Sequence, residues 1–318
     1  MTVFNSLLSI MITLFLLLAV GFFCRKVHIT DGSASKSFSK LIVTVGQPLL
    51  VLSAMNNAEY SEENLRIALW TTLIGFAMHT LLALSAFLIC RGMKKNPDRA
   101  KIFEFALVFS NCGFIGFPIL DSIFENGLGS FMGAFYILSL RIFLWTWGVL
   151  IFGRGRDDIH LTPRKALLNL GTVPCAIGFV FYLLKGVPFE IPYAVGRVFT
   201  YLGGLCTPVS LLITGGLLAT VSLREMFRNK MLYLHCFLSL IVFPVAFCLI
   251  AKFLRLPDNF ILFCTVMAGL PAASTVSMFS EIYDVDPGYA SQTVSMTTLL
   301  TTATLPLAVL FAQWVITW

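Results

Sequence analysis

Residues 110–118 read Ser-Asn-Cys-Gly-Phe-Ile-Gly-Phe-Pro, an amide, two glycines and a proline inside an apolar run. A second stretch, 268–275, reads Ala-Gly-Leu-Pro-Ala-Ala-Ser-Thr in another. Glycine and proline there interrupt the helical ladder and free backbone N–H and C=O groups, which in hydrocarbon must face protein or water. Where a helix restarts after such a break, its N-terminus carries unpaired N–H groups and about half a positive charge. The chemistry on offer is therefore the binding of an anion. Asn111 brings an amide donor, Ser274 and Thr275 bring hydroxyls, and Gly113, Gly116 and Gly269 allow backbone to approach a ligand. Pro118 and Pro271 suit an early helical position, where no N–H is needed. Cys112 and Ala272 sit beside these groups and complete the two segments. In a third apolar run, Arg141 adds a guanidinium able to grip a carboxylate through two parallel N–H bonds. Two half-helix starts meeting at one depth make a carboxylate site.

Each of these residues also has a plainer use. Asn111 is able to hydrogen-bond across packed helices, and membrane hydroxyls commonly bond back to their own helix. Arg141 has Glu104 and Asp121 as candidate ion-pair partners, or a backbone carbonyl. Glu104, Asp121 and Glu281 read as solvated helix ends, and His79 as a neutral core histidine or a group titrating near neutrality. No acidic cluster marks a sodium site, so coupling to protons or to sodium stays open. No HExxH, GxSxG or paired-aspartate motif supports enzyme chemistry. The eight cysteines form no CxxC pair and no Cys/His cluster; they read as small buried hydrophobes, with no metal or cofactor implied. The basic residues make no single patch for nucleic acid.

The elements that position these groups follow from hydropathy. The chain has 318 residues, 58% hydrophobic and 12% charged, about half the charge of a soluble domain. Its mean hydropathy is +0.87. At about 20 apolar residues per crossing, it predicts ten spans: 4–24, 38–56, 66–90, 101–122, 130–152, 166–185, 195–220, 231–253, 260–281 and 290–317. The first is expected to be a retained helix rather than a removed signal peptide. Sixteen of the 22 Lys and Arg residues fall in the loops after spans one, three, five and seven. By the positive-inside rule those loops are cytoplasmic and both termini lie outside. The polar stretch 154–165 divides a first repeat, 1–153, from a second, 166–318. Five spans on each side give the halves opposite topology. The breakers match across them: Pro48 in span two with Pro208 in span seven, Pro118 in span four with Pro271 in span nine. Interrupted helices at matching places in inverted repeats are the sequence mark of a secondary transporter. Asn111, ten residues past Lys101, lies about 15 Å deep at helical rise, near the midplane. A receptor that binds a carboxylate on a carrier fold is the alternative from a different class.

The stretches SNCGFIGFPIL, AGLPAAS, EIYDVDP and ASQTVSMTTLLTTATLPL together resemble the auxin efflux carrier family, which includes bacterial permeases and the plant auxin exporters. The resemblance covers essentially the whole chain, without the long central loop of the plant proteins. It implies an all-α membrane fold of ten transmembrane helices, like sodium/proton antiporters and bile-acid symporters. Spans 1, 2, 6 and 7 would be a scaffold, spans 3–5 and 8–10 a transport part, and spans four and nine would cross at the substrate. It further implies elevator-type movement and a homodimer. Asn111 matches the asparagine that holds the substrate carboxylate in the plant exporters, ahead of Gly116 and Pro118. The second plant crossover has two prolines; here Pro271 supplies the first and Val276 stands at the second. Bacterial relatives are often assigned organic acids such as malate or malonate.

Overall fold

The computed structural model describes residues 3–93, 96–156, 172–187 and 191–318. Most of the linker 154–165 and the first residues of span six lie outside them. The described residues are helical, and the one β-type pairing is an isolated antiparallel bridge, Ser110 to Ala272. In chain order the helices are α1 (Val3–Lys26), α2 (Gly32–Asn57), α3 (Glu62–Cys90), α4 (Pro97–Val108), α5 (Cys112–Ile123), α6 (Leu128–Gly153), α7 (Thr172–Leu184), α8 (Tyr193–Thr220), the short α9 (Leu223–Arg228), α10 (Lys230–Phe253), α11 (Asp258–Ala268), α12 (Thr275–Ile282) and α13 (Pro287–Ile316). Among the described residues, seven are long and apolar enough to cross a membrane: α1, α2, α3, α6, α8, α10 and α13. α5, α7 and α11 are shorter apolar helices.

Local chemistry sets the helix ends. Asp31, Ser61 and Asp286 each accept a hydrogen bond from the backbone N–H three residues on, at 2.6, 3.0 and 3.0 Å, which fixes the starts of α2, α3 and α13. The Asp31 cap begins α2 six residues before the predicted span two, so Gly-Ser-Ala-Ser-Lys-Ser is helix rather than loop. Three helices, α2, α5 and α10, carry a π turn directly ahead of an X-Pro step: Ile42–Gly46 before Gln47-Pro48, Cys112–Gly116 before Phe117-Pro118, and Leu238–Val242 before Phe243-Pro244. A proline inside a helix clashes with the carbonyl four residues back. The wider turn relieves this: Gln47 N–H and Phe243 N–H reach five residues back, to Ile42 and Leu238.

The packing pairs show a pattern. α1 lies against the second half of α8, where Gly21 meets the backbone of Leu212 and Gly215 that of Leu18, leaving no room for a Cβ on either. α7 lies against the second half of α2, with Gly178 on Met55. α3 packs on α4 and α6, while α10 packs on α11 and α13. Seven of the eight cysteines are buried, and all eight are free.

Candidate functional site

α4 ends at Val108 and α11 at Ala268, and the two chains that follow cross as a minimal antiparallel ladder. Asn111 N–H donates to Pro271 C=O at 2.8 Å, and Ala273 N–H donates to Phe109 C=O at 3.1 Å. Each break satisfies backbone groups freed by the other, in a place where water could not do so cheaply. Ala272 N–H, left over, donates to Thr297 Oγ1 of α13 at 3.2 Å. Thr297 in turn donates back to Thr293 C=O at 2.7 Å. The prolines sit elsewhere than the sequence suggests. The first half-helix starts at Cys112, so Pro118 lies in its second turn behind the π turn. Pro271 lies in the extended break, before α12 begins at Thr275. The crossing needs extended chain there, and proline's missing N–H costs nothing because its carbonyl is the group in use.

Asn111, 3% exposed, is the N-cap of α5. Its Oδ1 accepts from Phe114 N–H at 3.4 Å, and its carbonyl accepts from Ile115 and Gly116 N–H, both at 3.2 Å. No hydrogen bond from its Nδ2 occurs among the described residues. Cys112 and Gly113 continue into the wall of a buried polar region. A Cβ on Gly113 would lie 2.6 Å from Gln47 Nε2 and 3.6 Å from Ile137, one turn before Arg141. Arg141 is buried, and it lies in electrostatic reach of the Cys112, Cys175 and Cys206 thiols. Among the described residues its side chain has no ion pair and no hydrogen bond, and its Nε is a buried donor without a partner.

The acids that competed for Arg141 are committed elsewhere. Glu104 is held by Arg154 through two bonds of 2.5 and 2.8 Å. At 1% side-chain exposure it is buried, not the solvated helix end expected, because α4 packs this stretch into the bundle. Asp121 accepts from Ser130 N–H at 2.7 Å and from the Ser130 hydroxyl. Glu281 is exposed, as expected, and faces Lys36 at 3.7 Å.

The other proposed site residues divide. Gly116 and Gly269 face protein: a Cβ would meet Leu270 at 3.0 Å in the first case and Leu305 at 3.0 Å in the second. Their smallness serves packing in this structure. Ser274 and Thr275 open α12, which has no side-chain cap, onto a cavity of about 380 Å³ that Arg25, Lys36 and Lys40 also line. The first half-helix start, Asn111 to Gly113, is not among the walls of that cavity. An apolar cluster of Ile42, Phe114, Cys206 and Ile213 adjoins both: Ile213 lines that cavity, and Cys206 is within reach of Arg141. His79 is buried, with Nδ1 2.8 Å from Gly75 C=O and 3.1 Å from Ser139 Oγ, as for a hydrogen-bonded core histidine.

Two residues escaped the sequence reading. Gln47 precedes Pro48 and lies on Gly113; Thr207 precedes Pro208 and donates to Phe114 C=O at 2.8 Å. The matched signal, a polar residue just ahead of each proline in spans two and seven, was present in the sequence.

The comparisons with known proteins agree with this architecture. A family model described as membrane transport protein matches residues 6–309. An uncharacterized transporter of Methanothermobacter thermautotrophicus is 20% identical over 305 residues, 96% of this chain and 98% of its own length. With the match running across nearly its full length, the chain belongs to the membrane transport protein family of the auxin efflux carriers.

Proposed function

We propose that this transporter is a secondary carrier of a small organic anion, a carboxylate, working by elevator-type alternating access. The observation that carries the reading is Arg141, a buried guanidinium with no acid partner among the described residues, beside the start of α5. An uncompensated charge at that depth is costly unless something supplies the counter-charge. A dehydrated carboxylate, bound to Arg141, to Asn111 Nδ2 and to the α5 N-terminus, supplies it.

The same reading takes the chain as ten spans in two inverted repeats, 1–153 and 166–318, joined by a cytoplasmic 154–165, with both termini outside the cell membrane. The packing pairs support it. Exchanging the repeats turns the contact of span one with span seven into that of span six with span two, and both occur, as α1 on α8 and α7 on α2. Spans one, two, six and seven form the scaffold of a homodimer, and the remaining six move. Coupling to a proton or a sodium gradient belongs to the proposal as a choice between two ions.

The test is counterflow of labelled mono- and dicarboxylates into proteoliposomes. Saturable exchange that is lost in Arg141→Gln is expected. Binding without exchange makes the protein a receptor on a carrier fold, and transport of a neutral or cationic solute in preference to carboxylates ends the anion reading.

A further inference from the structure

Basic residues are scarce at the end of the bundle opposite the Arg- and Lys-rich loops: Arg66, Lys185, Arg197, Lys252 and Arg255. Three of these five have partners within the protein. Lys185 donates to the carbonyls of Asn56 and Ala58, Lys252 to Ile316 C=O, and Arg197 to the Tyr201 hydroxyl. The side chains of Arg66 and Arg255 have no partner among the described residues, and both line one cavity of about 470 Å³. Below them its walls are apolar: Ile67, Trp70 and Ile74 from α3, Met132 from α6 and Phe260 from α11. Trp70 keeps 48% of its surface exposed, so the cavity is open to the side as well as at the end. From Arg66 to Ile74, α3 rises about 12 Å. Glu63, the acid in this lining, makes no ion pair with either arginine.

Two unspent guanidiniums over a deep apolar cleft, with a tryptophan at the lip, follow the polarity profile of a lipid with an anionic headgroup. A free inorganic anion would leave the apolar walls wet, and a zwitterionic lipid would bring a cationic group of its own up against the two arginines. We propose that this cleft is a binding site for an anionic phospholipid, with the phosphate between Arg66 and Arg255 and an acyl chain along Ile67, Ile74 and Met132. The assignment is independent of whether Arg141 binds the substrate.

Native mass spectrometry of the protein released from bilayers of mixed phosphatidylcholine and phosphatidylglycerol tests it. Retention of phosphatidylglycerol over phosphatidylcholine is expected, and the double variant Arg66→Gln, Arg255→Gln should lose that preference at least tenfold. Arg197→Gln, at the same end but already bonded to Tyr201, should keep it. Ile74→Trp, which fills the cleft and leaves both charges, should reduce retention of either lipid. Melting temperatures in pure phosphatidylcholine confirm that each variant is folded. Equal retention of the two lipids, an unchanged preference in the double variant, or displacement of the lipid by inorganic phosphate alone would overturn the assignment.

Discussion

Arg141 and Arg154 lie thirteen positions apart, one within α6 and one just past its end, and they are opposite cases of the same side chain. Arg154 meets Glu104 in a two-pronged pair and lies over the rings of Phe87 and Trp147, at 5.0 and 5.8 Å. Its charge is spent inside the protein. Arg141 is more buried and, among the described residues, has no acid. Burying an ion costs several kcal/mol even after relaxation, and a buried guanidinium without an acid beside it bears that cost alone. The difference sets a residue that ties α4 to the end of α6 against one to which the proposed function gives the substrate carboxylate.

The sharpest way to break the comparison is Arg141→Gln. On the proposed reading it removes two charge-assisted bonds to the substrate, each worth ~1.5–3 kcal/mol, or about two to four decades of affinity in all. The same change relieves an unpaired buried charge, so the melting temperature should hold or rise. Equilibrium binding and thermal unfolding on one preparation check both halves. A marked loss of stability with affinity intact would mean that Arg141 is a structural residue like Arg154.

Arg154→Ala should behave in the reverse way. It strands Glu104, whose side chain is 1% exposed. The expected loss lies at or below the ~3–5 kcal/mol of a fully buried pair, because Arg154 itself keeps 39% of its side-chain surface. Adding Glu104→Gln should restore much of that stability. If the double variant is no better than the single one, the pair is not what holds α4 to the end of α6.

Asn111→Ala comes next. The crossing keeps its own backbone bonds, Asn111 N–H to Pro271 and Ala273 N–H to Phe109, so folding should survive. The cap lost is a long one, 3.4 Å. Affinity for the transported carboxylate should fall by ~1.5–3 kcal/mol, the worth of one hydrogen bond to a charged group. Stability lost with affinity unchanged would return Asn111 to helix packing.

What the sequence made legible follows from what each signal measures. Hydropathy places helices: the seven long apolar helices among the described residues fall on expected spans one, two, three, five, seven, eight and ten, while spans four and nine are each broken in two. Glycine and proline mark breaks, and both breaks fall close to them: the first, 109–111, just ahead of Gly113, Gly116 and Pro118, and the second, 269–274, at Gly269 and Pro271. The partner across each break was not legible. Ser110 and Ala272 carry no strand signal, and they pair because two interrupted helices cross, not because of their types. The π turns were missed for a related reason, since proline announces a lost bond but not how the ladder reroutes around it. Glu104 was misplaced because its partner is 50 residues away in sequence. Counting turns from the end of a span gives depth but says nothing about which neighbour covers a side chain.

The smallest expected effect belongs to the second break, where the comparison can be carried from side chains to backbone. Ala272 N–H is buried, and Thr297 Oγ1 takes its hydrogen at 3.2 Å. Thr297→Val keeps shape and volume but removes that acceptor, leaving a backbone donor unsatisfied. Such a loss costs ~1–3 kcal/mol, and the length of this bond puts it near the lower bound. Thr297→Ser keeps the hydroxyl and should recover most of it. Affinity for the carboxylate should not move, because Ala272 is held by protein on both sides, through Ser110 of the crossing and through α13. The first break would then be the one that binds, with its free Asn111 amide and nearby Arg141, and the second the one that braces it. If instead Thr297→Val weakens substrate binding while the melting temperature stays put, the backbone at Ala272 faces the substrate during the cycle. Both half-helix starts then belong to one site, as the matched breaks in the sequence suggested.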